Sequence, residues 1–495
     1  MKLFFLVCFG LLATATELLI ATLPEHRSSV PVLTWVTQDD PVKRETAALF
    51  PIWLAEQKLP PAKVIIDNAN IEGNPTGPSK ELIQGVSGVG GDLLDIYLNQ
   101  MEMYQATGML ADLTDVALSY HFDPAQTYPS VRSDFVLQGR QFGFPRNIEV
   151  TMCWINRDTF ANYNIPEPPR RWNWDQFEEL GRKFVVTANP PGTRQRVFFI
   201  NRVWPSVLRR GLGLSTFNET MTRCTLDDPR NAEVLRRLYR WTVVERLMPS
   251  EDEQHAMVAD ATGFDSSFAL FASGRFGMIY EGLWALIRLR PRGDFRLGVV
   301  EPFTGGFANT EMGGGAVAVY AGSKHIELAY RFIQFLTSRP FNLLVARSGD
   351  ALPPVPIYAK ANEFLNPPGR PGEKGATEAF ARGGNEIGIA ASRSPFVLPS
   401  VVRRIDSEEI EAMLARGLSP EDAARNTGER INSEIAFTIQ QDPGLAKLYK
   451  ERLEIQSRID AHRAAGLPVP AVWISDPFYL AYYRARGWLD RESIQ

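Results

Sequence analysis

The chain has 495 residues, enough for two large lobes or a few domains. Apolar residues make up 44% and charged residues 22%, the balance of a globular protein with a sizeable core. The net charge of -4, with Lys and Arg spread along the chain and no basic run interleaved with aromatics, excludes nucleic acid as a partner.

Residues 1–29 read as a signal peptide or an N-terminal membrane anchor. Met1-Lys2 is a small positive start, Leu3 to Leu12 is apolar, and Ala13-Thr14-Ala15 offers a small-residue cleavage site. Apolar character resumes at Leu18 and runs to Leu23 with only Glu17 interrupting, so retention as an anchor stays open beside cleavage. Cys8 follows Phe5-Leu6-Val7, which lacks the small residue of a lipoprotein signal. The body of the chain is expected in the periplasm or another extracytoplasmic space. Its three cysteines cannot build a disulfide framework. Cys153 and Cys224 could pair, but Met152 and Trp154 mark Cys153 as a buried strand residue and Cys224 as a plain position before a helix.

From there strands alternate with helices, which argues for an α/β class. A strand is predicted at Val32 to Val36, a helix over Pro41 to Gln57 with Pro41 in its first turn, and a strand at Lys63 to Asp67. Lys80 to Val86 is helical and Leu93 to Leu98 a buried strand. Asn173-Trp174-Asp175-Gln176 is a capping-box start for a helix through Phe184. Asp228-Pro229 opens another, and Ser323 caps one whose Ile326, Ala329, Tyr330 and Ile333 share a face. Residues 441–495 form a helical extension carrying Trp473, Phe478, Tyr479, Tyr482, Tyr483 and Trp488, read as aromatics packed on the second lobe.

Enzyme signatures are missing. The five histidines are scattered without metal-ligand spacing, and the chain has no P-loop and no G-x-S-x-G. Gly85, Gly88, Gly90 and Gly91 precede the Leu93 strand, whereas a dinucleotide site needs its glycines after one. No cofactor or metal is expected.

Several separated blocks carry a pattern. Gly91-Asp92-Leu93-Leu94-Asp95-Ile96-Tyr97 is close to the pattern G-x-x-x-D-V, Gly108 to Thr114 fits G-x-L-x-D-L-T, and Gly139-Arg140-Gln141-Phe142-Gly143-Phe144-Pro145 is close to G-K-x-Y-G-x-P. Trp154-Ile155-Asn156-Arg157-Asp158-Thr159-Phe160 is similar to Y-N-K-D-x-F, and Trp172-Asn173-Trp174-Asp175-Gln176-Phe177 to W-T-W-D-E-F. In this order, from about Val32 to about Asn432, the chain resembles the extracellular solute-binding proteins of carbohydrate ABC transporters, the large maltose-binding-protein-like class. The resemblance implies a two-lobe periplasmic-binding-protein fold with a hinge and an interlobe cleft, plus the C-terminal extension. On that reading 30–145 with 300–350 form the first lobe and 146–299 with 351–440 the second. The implied function is to bind a carbohydrate in the cleft and deliver it to ABC transporter permease subunits, as a monomer. Two other classes stand beside it: an exported glycoside-acting enzyme, with Glu149 and Glu281 as its carboxylates, and a membrane-tethered sugar-sensing domain.

Candidate ligand residues follow. In the first lobe, Trp35 lies near the end of the first strand and Asp39 and Asp40 follow it, Asp40 serving equally as a helix cap. Tyr97 and Asn99 end the Leu93 strand, where ligands gather in open α/β sheets, though Tyr97 also suits a core. Arg146, Asn147 and Glu149 lie at the first crossing, as lobe-bridging groups or as a solvated linker. Gly314 is either a tight turn or a close approach to ligand. In the second lobe, Trp284 follows a short apolar strand beside Glu281, with Phe264 and Asp265 as companions. An indole beside polar groups suits the face of a sugar, and a core Trp is the alternative.

Overall fold

A computed structural model of the chain describes residues 30–68, 80–257 and 263–490. The segment 1–29 lies outside the described residues, and so do the side chains of Phe264 and Asp265. In chain order the strands are β1 (Val32–Thr37), β2 (Lys63–Asn68), β3 (Leu93–Tyr97), a hairpin of β4 (Val136–Leu137) and β5 (Arg140–Gln141), and β6 (Phe144–Pro145). They continue as β7 (Glu149–Asn156), β8 (Phe198–Ile200), β9 (Phe276–Gly282), β10 (Leu297–Val300), β11 (Thr310–Gly313), β12 (Gly315–Val319) and β13 (Gly388–Ala390).

They build two sheets. The first has the order β2-β1-β3-β12-β6, and the second β13-β11-β7-β9-β8 with β10 also paired to β7. Each sheet is covered by helices on both faces, so its strands are apolar on both sides. In β1, Leu33 and Trp35 enter one core while Val36 enters another. In β7, Val150, Met152 and Trp154 face one core, and Cys153 and Ile155 the opposite one. Alternation along each strand divides them. This is the two-lobe α/β architecture that the sequence implies.

Local chemistry sets the helix ends. Asp40 accepts from the Lys43 amide at 2.9 Å and starts the helix Pro41–Glu56. Asn173 and Gln176 close a reciprocal capping box on the helix Trp174–Ala188, which runs one turn beyond the predicted end. Ser323 does not cap directly. His325 is the cap of Ile326–Leu336, and the Ser323 hydroxyl instead accepts from the His325 amide and donates to Asp92. Cys153 and Cys224 are buried free thiols, not a disulfide.

The chain passes between the sheets at one place. Residues 146–148 lead from β6 in the first sheet to β7 in the second. Gly314 returns the chain from β11 to β12. A third segment lies alongside, where Ile148 and Leu352 exchange backbone hydrogen bonds at 2.9 and 2.8 Å. The second crossing, expected at about residue 300 where the first lobe was to resume, therefore falls at Gly314. The reason is pairing: β10 is antiparallel to β7 over Leu297–Val300, and β11 still pairs β7 through Gly313.

The described part of the extension, 441–490, packs against the second sheet through some of its aromatics, while Trp488 stays exposed. Ile459, Phe478, Tyr479 and Tyr483 share a core with Ile389 of β13, and Phe307 meets Phe478 edge-on at 5.7 Å.

Gly314 has φ +147°, and a Cβ there would lie 2.2 Å from the Asn147 carbonyl oxygen. A Cβ on Gly313 would meet nothing within 4 Å. Gly314→Ala should therefore cost about 2 kcal/mol or more and Gly313→Ala well under half of that, read from urea midpoints. Equal losses at the two positions would mean that the crossing is free to shift.

Candidate functional site

Both sheets turn one rim toward the crossing. The first sheet presents the carboxyl ends of β1 and β3, with Tyr97 opposite Gly315 at the start of β12. The second presents the carboxyl ends of β8, β9, β11 and β13 and the amino end of β7. The space between the rims is the cleft, and its walls are the strand ends where α/β proteins bind ligands.

On the first rim a buried charge cluster sits beneath the crossing. Asp95, in β3, accepts from Arg146 Nε at 2.6 Å and from the Thr37 hydroxyl at 2.5 Å, and lies 3.2 Å from Lys43 Nζ. Lys43 also meets Asp40 at 3.1 Å. Burial opposes the Asp95 charge, yet Arg146 and Lys43 with the Thr37 hydroxyl hold its carboxyl below the usual range. Burial raises Glu149 and Asp350 instead: Asp350 pushes Glu149 further up, and Arg146 pulls against both shifts. One guanidinium thus serves three carboxylates.

On the second rim Glu281 is 2% exposed. Its Oε1 accepts from Arg202 at 2.8 Å and Asn201 at 3.2 Å, while Oε2 is buried without a hydrogen-bond partner. Trp284 follows, half-buried and edge-on to Phe268 at 5.4 Å. Trp204, after β8, meets Tyr280 edge-on at 5.9 Å. Between the rims, Arg393 donates to Asp134 at 2.9 Å, joining the segment after β13 to the helix Arg132–Phe135 that precedes β4.

The candidates fall into three groups. Glu149, Glu281 and Trp284 line the second rim, and Asp40, Tyr97 and Arg146 the first. Asp39 is exposed and bonded to Arg44, and Asn99 is exposed in the turn Leu98–Gln100. The third group is structural. Trp35 is 1% exposed and its ring lies 5.2 Å from that of Phe332, so it belongs to the core: strand alternation turns it inward beside Leu33. Asn147 spends its side-chain oxygen on the Gly315 amide at 2.8 Å. Gly314 is glycine because Asn147 fills the space of a side chain.

Sequence reading missed Asp95, Arg202, Trp204, Asp350 and Arg393. Arg202 and Trp204 were within reach, since they follow the apolar run Phe198–Ile200 and Trp204 precedes a helix-starting proline. Arg393 carries no local signal. Its role exists only because two distant segments meet.

The two carboxylates of a glycosidase reading do not converge. Glu281 pairs with Met152, three residues from Glu149 on β7. An odd offset along a strand places side chains on opposite faces of the sheet.

A family model described as "Bacterial extracellular solute-binding protein" matches residues 67–340, more than half of the chain. The chain belongs to this family. It is 23% identical over 360 residues to the diacetylchitobiose binding protein DasA of Streptomyces coelicolor, covering 70% of this chain and 77% of that one. Among solved structures, an ABC substrate-binding protein of Listeria monocytogenes in complex with cycloalternan superposes with a TM-score of 0.67 at 20% identity, covering 82% of this chain and 99% of its own. The sugar-binding protein MalE of Xanthomonas citri gives 0.65 at 13% identity, with 83% and 100% covered. Among the described residues no helix is long and apolar enough to cross a membrane.

Burial is the largest influence on Glu281 and raises its carboxyl, with Arg202 and Asn201 opposing. The folded protein then holds this proton more tightly than the unfolded chain. The group favours folding below its unfolded pKa, and that contribution is lost as the pH rises through the folded value. Glu281→Gln should gain stability relative to wild type between about pH 4 and about pH 7, measured by urea denaturation at both. A difference that grows toward acid would reverse the assignment.

Proposed function

We propose that this chain is the carbohydrate-binding component of an ABC importer, an extracytoplasmic protein that closes its two lobes on a mono- or oligosaccharide and presents it to permease subunits. The observation that carries the reading is Glu281 Oε2, a buried acceptor with no partner, held by Arg202 at a strand end beside Trp284. A buried acceptor left unmade is costly, and a sugar hydroxyl satisfies it. The neighbouring indole stacks on the apolar C–H face of the same ring. The relative named for binding diacetylchitobiose and the Listeria protein solved in complex with cycloalternan support this ligand class. The opposed faces of Glu149 and Glu281 support binding without turnover.

In this reading the first lobe holds 30–145 and 315–350, and the second 146–313 and 351–440. The crossing at Arg146–Ile148, Gly314 and Leu352 is the hinge. Closure needs only these few residues to absorb backbone rotation. Ligand shifts the equilibrium by binding the closed form more tightly than the open one. Arg393 and Asp134, from opposite rims, add a contact made when the rims approach.

A thermal-shift panel of mono- and oligosaccharides tests the ligand class, because binding to the native state raises apparent stability. At least one sugar should raise the melting temperature, and released product should stay absent on prolonged incubation. Trp284→Ala should then weaken that sugar by about 30-fold or more, using about 2 kcal/mol for a truncated aromatic anchor and 1.4 kcal/mol per tenfold. A folded variant with undiminished affinity returns Trp284 to the core. Small-angle scattering with and without the same sugar should show compaction, and an unchanged radius of gyration on verified binding would rule out lobe closure.

A further inference from the structure

One open cavity of the molecule lies outside the cleft. It lies between the second lobe and the C-terminal extension, with a volume of about 930 Å³. A second cavity of about 550 Å³ adjoins it, and the two share Asp460, Arg463, Tyr483 and Trp488. Trp488 therefore stands on the divide between them. It is 46% exposed, whereas Phe478, Tyr479 and Tyr483 of the same extension are buried and Trp473 and Tyr482 half-buried. It is held edge-on by Tyr482 at 5.8 Å and by Tyr483 at 5.4 Å. The extension buries its aromatics to pack, and packing alone does not account for this one.

The floor beneath is rigid and satisfied. Glu219 is 3% exposed and accepts from Gln456 at 2.9 Å, from Arg463 at 2.8 Å and from the Tyr483 hydroxyl. Tyr482 lies on the same wall, with the Arg486 guanidinium 5.1 Å above its ring. The charges of the lining nearly cancel. Arg223, Arg230 and Arg463 pair with Asp227, Asp228 and Glu219, and Asp460 accepts from Gln456 at 3.1 Å, so the cavity offers no field for a phosphate or a polyanion. Planar donors and acceptors beside one exposed indole suit a neutral, polyhydroxylated ligand with an apolar face.

We infer that this groove is a second saccharide-binding site, built by the extension and separate from the interlobe cleft. Trp488 is its stacking surface. Asn218, Arg223, Asp460 and Arg463 are its hydroxyl partners. The inference uses only the chemistry of the groove and stands or falls apart from the cleft reading. Because the groove is open and its polar groups are already paired, its affinity belongs in the millimolar range, where each sugar hydroxyl exchanges one hydrogen bond for another.

The test reads Trp488 itself. Protein labelled with 5-fluorotryptophan is titrated with maltotetraose and, separately, with N,N′-diacetylchitobiose, and the Trp488 fluorine resonance is assigned by its loss in Trp488→Phe. The resonance should move saturably with at least one probe by about 10 mM, and should still do so in Glu281→Gln, which impairs the cleft. Asp460→Asn, at an exposed position, should weaken that response several-fold while the fold is kept. A Trp488 resonance that stays fixed with both probes overturns the proposal whatever the cleft does. Movement that vanishes in Glu281→Gln also overturns it, because Trp488 would then only report cleft occupancy.

Discussion

The structure depends on one close approach of backbone to backbone. At Gly314 the chain comes so near the Asn147 carbonyl that no side chain fits between them, and Asn147 then holds the Gly315 amide through its own side chain. Leu352 pairs with Ile148 on the same short segment. Three passages between the lobes are thereby compressed into a few residues. A narrow crossing lets two rigid sheets rotate relative to each other, because only those residues need to change conformation. It also fixes which strand ends face each other, and so decides where a ligand can lie.

The charges around the crossing follow from the same geometry. Asp95 needs Arg146 because the crossing buries them together, 2.6 Å apart and with Asp95 4% exposed. Glu149 and Asp350 stand near the same guanidinium without a comparable partner, and burial raises both. A buried pair of this kind contributes little net stability against an apolar replacement, whereas breaking it is costly. Its value is geometric: it sets the orientation of the segment that joins the lobes. Glu281 differs. Its second oxygen is left without a partner inside the protein, which is a cost that a binding site can recover when ligand arrives.

Much of this was legible in the sequence, for physical reasons that differ by residue. The capping box at Asn173 and the cap at Asp40 are local, and local chemistry survives folding unchanged. The blocks that resemble the solute-binding family carry the two-lobe class, and the position of Glu281 and Trp284 at a strand end is legible because an apolar strand running into an aromatic is visible in one stretch of chain. Trp35 was misplaced because being near a strand end says nothing of which face a side chain takes. The second crossing was put too early because β10 and β11 are short and only their pairing with β7 assigns them to a sheet. Asp95 with Arg146, 51 residues apart, and Arg393 with Asp134, 259 apart, have no signature at all before the chain is folded.

Arg393 also changes how the C-terminal extension is to be understood. The segment that bears it is secured from behind by that extension. Ser392 donates to Asp476 at 2.8 Å, and fully buried Asp476 also accepts from Ser215 and from the Phe478 amide. One residue beyond Arg393, Ser394 donates to the Met221 carbonyl, and Phe396 is met edge-on by Tyr449 with the Arg452 guanidinium above its ring. A side chain reaching across the cleft is only as well placed as the backbone that carries it. The extension is thus part of the scaffold that orients one wall of the cleft, and the same packing that fixes Arg393 opens the groove at Trp488 on its outer side.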